Sequence, residues 1–338
     1  MSIVAAALVV VVLAGLAALV GSSSSRASTQ AQKATFMATL VSDVGKFNDR
    51  SFNQSQKEGL VRAQKKLHVK IKALQSNSPS DYIPNLTSGV RLKSNIIISA
   101  GFLLAADTNT VASKYPKIHF AITDYSAKAD PFKGRKNVMG LTYAANQSGC
   151  LVGVLAAKMA KKMGRKTIGA VGGVKIPPVD IWIAGYQFCA QKAVPGTKVL
   201  IDYSQDFVAA DKCKTLAENQ IAKGAKVLFQ VAGGCGLGTL KAAAAAKIWG
   251  IGVDKDQYND AKRVMTSGVK RVDNGVYQAI NKAKNGGFKR GGNLLFNLKN
   301  KGMGVGKMNP AVPKAYIKLM NTYKTRIIKK QLKVPSKL

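Results

Sequence analysis

Acidic residues are scarce in this chain: its 338 residues hold 16 Asp+Glu against 52 Lys+Arg, a formal net charge of +36. After Asp273 the scarcity becomes complete, since 15 basic residues and no acidic one follow, so that end carries a strongly positive surface. Such a field attracts anionic lipid, cell-wall polymer or nucleic acid. The lysines are not interleaved with aromatics, as a base-stacking platform requires, so no specific nucleic-acid partner is expected. A solvated basic face with weak affinity for an anionic cell-surface polymer or lipid fits the pattern better.

Histidine is rarer still. His68 and His119 are the only two, and both fall inside or beside expected elements, which excludes a Ser/His/Asp or Cys/His catalytic set. No nucleophile elbow is present, so the chain is expected to be a binding protein and not an enzyme. Cysteine is limited to Cys150, Cys189, Cys213 and Cys235, all within 86 residues and none at CxxC spacing, which argues against a metal site. In an oxidising compartment an even count favours pairing, with Cys213 to Cys235 and Cys150 to Cys189 preferred and buried free thiols the alternative. No cofactor and no metal are expected.

Long apolar runs are also lacking, apart from Ile3 to Val20, which Gly21 and the run Ser22 to Ser25 break. That segment reads as a secretory signal or an anchor, although no Lys or Arg precedes it, so the protein is expected to be exported and associated with the membrane from outside the cytoplasm. Ser25-Arg26-Ala27 offers small residues of the kind a signal peptidase reads. Leu19-Val20-Gly21 resembles a lipoprotein box, but Ser22 stands where the acylated Cys would be.

What remains is a globular composition, 46% hydrophobic with 32 Gly and a mean hydropathy near zero. Apolar runs mark strands near Thr35 to Ser42, Lys70 to Leu74, Ile96 to Ser99, Ile118 to Thr123 and Val138 to Tyr143, with helix-like stretches such as Asn53 to Lys66 between them. The alternation repeats with strands near Thr167 to Val171, Lys198 to Asp202, Val227 to Val231 and Ile248 to Val253, followed by the stretch Val264 to Thr266. Helices are expected at Ile181 to Ala193, Leu216 to Lys223, Gly238 to Lys247, Val272 to Lys284 and Pro313 to Lys329, with a short strand near Leu294 to Leu298. The fold class is therefore α/β, with two doubly wound Rossmann-like lobes. Residues 1–34 form the export segment and linker, 35–145 with 268–298 the first lobe, and 146–267 the second. Residues 299–338 cross between lobes and end in a helix.

Ligands of open parallel sheets sit beyond the carboxyl ends of the strands. Asp43, Gly101-Phe102, Asp124, Ala232-Gly233-Gly234 and Asp254 all follow strands, and their recurrence in both halves points to an interlobe cleft, although any one Asp is as readily a cap or turn residue. In the loop from Asp43 to Gln54, Ser51 and Gln54 have capping-box spacing, which would place Phe52 and Asn53 at the start of a helix beside the cleft. An aromatic next to an amide suits a flat heterocycle, one stacking on its face and the other bonding its edge; Phe52 as a hydrophobic plug is the alternative. Gly234-Cys235-Gly236-Leu237-Gly238 contains GxGxG with Asp254 20 residues after Gly234, a partial dinucleotide fingerprint whose third Gly comes one place early. A dinucleotide-dependent enzyme is thus one alternative, and a cell-surface polyanion-binding protein another.

The segment Val41 to Gln54 resembles the "DVGxxDDKSFNQ" signature of the basic membrane protein family, substrate-binding lipoproteins of ABC importers that include purine nucleoside receptors. Further matches follow in order: "ISAGF" (Ile98 to Phe102), "QSGCLVG" (Gln147 to Gly153), "VGG" (Val171 to Gly173), "AGGCG" (Ala232 to Gly236), "GVDKDQ" (Gly252 to Gln257) and "TSGVKRVD" (Thr266 to Asp273). With Ile327 to Pro335 they cover roughly residues 36 to 335. The resemblance implies a type I periplasmic-binding-protein fold that closes on its ligand by hinge motion, with an ABC permease as partner and a purine nucleoside as ligand. It implies Phe52 and Trp182 as the aromatics that sandwich the base and Asp43, Asn53 and Asp124 as positions near it. It further implies Asp254 and Lys270 as the ribose-binding pair, and Gly234 as a close backbone approach. The chain departs from the family pattern at Lys46, Asn48, Cys150, Trp182 and Ser22.

Overall fold

The first β-α unit sets the pattern for the whole chain. Strand β1 (Met37–Ser42) is buried at every position but its first, as expected of a parallel strand covered on both faces. Helix α1 (Phe52–Leu67) returns along the sheet with Gly59, Leu60 and Ala63 turned inward. The computed structural model describes residues Thr35–Leu338; the expected export segment and linker, residues 1–34, lie outside the described residues. Next come β2 (Lys70–Leu74), α2 (Tyr82–Arg91), β3 (Ile96–Ala100), α3 (Ala105–Lys114), β4 (His119–Thr123), β5 (Val138–Tyr143) and α4 (Ala145–Lys162). They are followed by β6 (Thr167–Gly172), α5 (Pro177–Ala193), β7 (Lys198–Tyr203), α6 (Ala210–Ala222), β8 (Val227–Val231), α7 (Gly236–Ala245), β9 (Trp249–Asp254) and β10 (Val264–Lys270). The chain ends with α8 (Val272–Lys284), β11 (Asn293–Phe296), β12 (Met303–Val305) and α9 (Lys314–Ile328).

These strands build two six-stranded sheets of the same order, β11-β5-β4-β3-β1-β2 and β12-β10-β9-β8-β6-β7. Among the described residues every pairing is parallel except that of β10 with β12. The run β1 to β5 thus has its counterpart in β6 to β10, and each sheet reverses direction beside its first strand, where an open α/β sheet forms its binding crevice. The two doubly wound lobes expected from the alternation are present.

The chain passes from the first sheet to the second after β5, back after β10, and over again between β11 and β12. Backbone hydrogen bonds tie these crossings together: the Ala144 amide donates to Phe296 and that of Arg271 to Gly302. Strand β10 runs four residues past the apolar stretch that marks it in the sequence, because Gly268, Val269 and Lys270 pair with β12. Residues 268–270 therefore belong to the second sheet, beyond the expected boundary at 267.

Within the second lobe α4 packs on α5 with backbone nearly touching backbone. A Cβ on Gly149 would lie 2.2 Å from the Trp182 carbonyl oxygen, and one on Gly185 2.0 Å from that of Asn146. The Cys150–Cys189 disulfide joins the same two helices, and Cys213–Cys235 joins α6 to the residue before α7.

Candidate functional site

A cleft lies where the carboxyl ends of the two sheets face each other. Seven of the eight residues singled out from the sequence line it: Asp43, Phe52, Asn53 and Asp124 from the first lobe, and Trp182, Asp254 and Lys270 from the second. The eighth, Gly234, does not; its neighbour Gly233 does, with φ +55, a backbone conformation that glycine adopts without penalty.

The two lobes supply equivalent groups from equivalent strands. Asp124 follows β4 and Asp254 ends β9, and both hold the left-handed backbone conformation, with φ 64 and 63. Asp adopts that conformation more readily than most side chains. It ends the strand while keeping the carboxylate at the sheet's edge. Gly101 after β3 corresponds likewise to Gly233 after β8.

Asp49, which the sequence does not single out, organises the loop between β1 and α1. One of its carboxylate oxygens accepts the amides of Ser51 and Gln54 at 2.9 and 3.0 Å, and the other accepts that of Asn53 at 2.8 Å. The expected capping box of Ser51 and Gln54 is not formed, because Asp49 already satisfies the first amides of α1. Freed from capping, the Ser51 hydroxyl donates to the Asp254 carboxylate at 2.8 Å, across the cleft. The Asn53 side-chain nitrogen donates to Asp43 at 2.7 Å, and its buried side-chain oxygen has no hydrogen-bond partner among the described residues.

Among the described residues, four carboxylates, Asp43, Asp49, Asp124 and Asp254, thus share a cleft lined by one cation, Lys270. The Lys270 ammonium lies 2.5 Å from Asp124 and about 5 Å from the ring centres of Phe52 and Tyr143. Burial pushes all four carboxyls above their ordinary range, Asp43 to about 7 and Asp254 to about 6. Lys270 opposes the effect of burial at Asp124 and Asp254.

Apolar walls complete the cleft. Trp182 is 2% exposed, stands edge-on to Phe229, and is approached so closely by Gly268 that a Cβ there would lie 2.7 Å from its ring. Ile176, Val179, Phe102 and Phe207 also line the cavity. Of these only Phe102 stands out in the sequence, by its place after a strand; the others sit in loops or on a helix with no polar signal to mark them.

The dinucleotide alternative finds no support in this geometry. A Cβ on Gly236 would strike the Gln230 side chain and one on Gly238 the Ala210 carbonyl oxygen, so these glycines serve helix packing. His68 caps α1 and His119 stacks on Phe288, both away from the cleft. Among the described residues no His, Cys, Asp or Glu cluster is arranged to hold a metal ion.

Two mostly parallel sheets closing on an apolar, carboxylate-bearing cleft make up a periplasmic-binding-protein-like fold. The sequence model for "ABC transporter substrate-binding protein PnrA-like" matches residues 36–337, and the chain belongs to that family. It is 34% identical to an ABC transporter nucleoside-binding protein, BmpA, of Lactococcus lactis, over 97% of each chain. It is 32% identical to a CD4+ T-cell-stimulating antigen of Listeria monocytogenes, over 89% of this chain and 88% of the other. Among solved structures, an ABC transporter solute-binding protein from Aeropyrum pernix superposes with a TM-score of 0.79 at 25% identity, over 89% of this chain and 93% of the other. The protein is a substrate-binding component of an ABC transporter and not an enzyme; such proteins bind a small ligand and a membrane permease.

Proposed function

We propose that the cleft captures a nucleoside, with a purine base favoured, outside the cytoplasm at the membrane, and hands it to the permease. The observation that carries the reading is the pairing of aromatic walls from opposite lobes, Phe52 and Trp182, with buried carboxylates around them. A flat heterocycle gains from stacking on each aromatic face. Its ring N–H groups suit Asp43 and the unpartnered Asn53 oxygen, and ribose hydroxyls are donors suited to Asp124 and Asp254. Lys270 would donate to a ribose oxygen while offsetting the carboxylate charge. A phosphate would meet four carboxylates and one cation, so the free nucleoside fits better than the nucleotide. The nucleoside-binding relative from Lactococcus lactis supports the same ligand class.

Titration calorimetry of the ligand-free protein against purine and pyrimidine nucleosides and their monophosphates tests the reading. Purine nucleosides are expected to bind tightest and monophosphates much more weakly. Absence of binding by any nucleoside at submillimolar concentration would overturn the ligand class and leave the fold untouched.

A further inference from the structure

The acidic residues are few, and their distribution divides the second lobe into two unlike faces. Helices α6 and α7 cover one side of its sheet, and α4, α5 and α9 the other. On the α6 side, Asp206, Asp211 and Glu218 interrupt the basic residues, and two of them pair with Lys212 and Lys214. Helices α4 and α9 contain no acidic residue at all. Residues 158–166 and 314–337 together hold thirteen Lys and Arg and no Asp or Glu. None of the ion pairs among the described residues involves either segment.

The two segments form one surface. Helix α9 turns Met320, Tyr323 and Ile327 inward, packs against α4, and is held beside it by the Lys158 ammonium 5.8 Å from the Tyr316 ring. Its outward positions include Lys314, Lys318, Thr322, Thr325 and Lys329, whose spacing keeps them on one helical face. Exposed Lys161, Lys162 and Arg165 continue the charge at the end of α4.

From this we infer that the α4–α9 face of the second lobe docks on an anionic lipid surface. Charge complementarity over two adjacent helices suits a planar array of headgroups, which meets all these lysines at once. A single polyanion strand would instead call for a basic groove to track its backbone, and the four carboxylates keep the cleft from serving as one. The inference stands whichever ligand the cleft takes.

Lysine acylation of the full-length protein, read by mass spectrometry, tests it. The protein is mixed with vesicles of pure phosphatidylcholine, or of equal parts phosphatidylcholine and phosphatidylglycerol, at low and at high salt. Acylation of Lys161, Lys162, Lys318 and Lys329 is expected to slow several-fold on the phosphatidylglycerol vesicles alone and to recover in high salt, which shortens the reach of the charges. Exposed first-lobe lysines such as Lys65, Lys72, Lys117 and Lys133 should keep their rates. The quadruple variant K161Q/K162Q/K318Q/K329Q should lose the protection of its remaining α9 lysines, whereas the equally neutralised K65Q/K72Q/K117Q/K133Q should retain it. Unchanged rates, or equal slowing in both lobes, would overturn the inference. Slowing by soluble poly(glycerol phosphate) but not by anionic vesicles would overturn it in favour of a cell-wall polymer.

Discussion

Lys270 and Asp124 meet at 2.5 Å across the cleft, one from the last strand of the second lobe's parallel run and the other from the turn after β4 of the first. Both side chains are almost wholly enclosed, at 2% and 9% exposure. Lys270 also offsets Asp254 from the same position. Removing one member of a buried pair leaves an uncompensated charge, at a cost of roughly 3–5 kcal/mol. On the hinge motion that the family resemblance implies, the lobes part and let water reach Asp124, so the penalty would fall mainly on closure. Lys270→Met should therefore weaken nucleoside binding by roughly a hundredfold or more while the melting temperature moves little. Calorimetry and a thermal melt separate the two, and unaltered affinity would remove Lys270 from the site.

The raised carboxyls give the cleft an expected pH dependence. An acid whose pKa is raised by folding holds its proton longer in the native state than in the unfolded chain. For Asp43, at about 7, and Asp254, at about 6, this stability is fully present below the unfolded value of about 4 and is lost as pH rises through the folded values. The ligand-free protein should thus lose melting temperature between about pH 5 and about pH 8, and Asp43→Asn should flatten the slope. Nucleoside donors need the ionised carboxylates, so affinity should rise over the same interval. Affinity that is constant or falls would contradict the assignment of Asp43 and Asp254 as acceptors.

Asp49 and Ser51 have separable tasks. Asp49→Ala removes the acceptor for three amides at the start of α1 and should lower unfolding free energy by about 1–2 kcal/mol. Ser51→Ala leaves those bonds intact and removes the hydroxyl that reaches the Asp254 carboxylate and the Val253 carbonyl oxygen across the cleft, so it should weaken ligand binding without a comparable loss of stability. Urea titration and calorimetry of both variants distinguish this arrangement from the capping box that the sequence suggests, in which Ser51→Ala would be the destabilising change.

What the sequence reveals and hides has physical causes. The central strands of both sheets are legible because a strand buried on both faces reads as an unbroken apolar run, as in Ile96–Ala100 and Val227–Val231. Helix α4 is hard to read because fourteen of its 18 residues are buried, which erases the amphipathic period. Strand β12, three residues long, is too short for any period to register. In the cleft, Asp43, Asp124 and Asp254 stand out by their places after strands, whereas Trp182 and Lys270 come to notice only through family resemblance. Asp49 is masked by the better capping spacing of Ser51 and Gln54, and Phe207 by an irregular loop.

Helix α4 also carries the approach that fixes Trp182. Because the Trp182 carbonyl oxygen sits where a Cβ on Gly149 would lie, Gly149→Ala must push α5 away from α4. Overpacking of this kind costs about 1–3 kcal/mol. Displacing α5 should also shift the indole relative to Phe52, so affinity and stability should fall together. A Gly149→Ala protein with wild-type stability and affinity would show that the helices do not approach as described.

The two disulfides close loops of similar length but touch different parts of the lobe, with sequence separations of 39 for Cys150–Cys189 and 22 for Cys213–Cys235. On chain-entropy grounds each stabilises by roughly 3–4 kcal/mol. Cys150–Cys189 joins two helices that already pack backbone to backbone, so replacing both cysteines by Ala should lower stability and leave affinity nearly unchanged. Cys213–Cys235 instead anchors the turn that carries Gly233 into the cleft, beside the Phe207 carbonyl that accepts the Cys235 amide at 3.0 Å. The Cys213→Ala/Cys235→Ala protein should therefore lose stability and bind nucleoside more weakly, with increased amide hydrogen exchange across residues 232–238. Equal effects of the two double variants on affinity would mean that the tether to α6 does not position the turn.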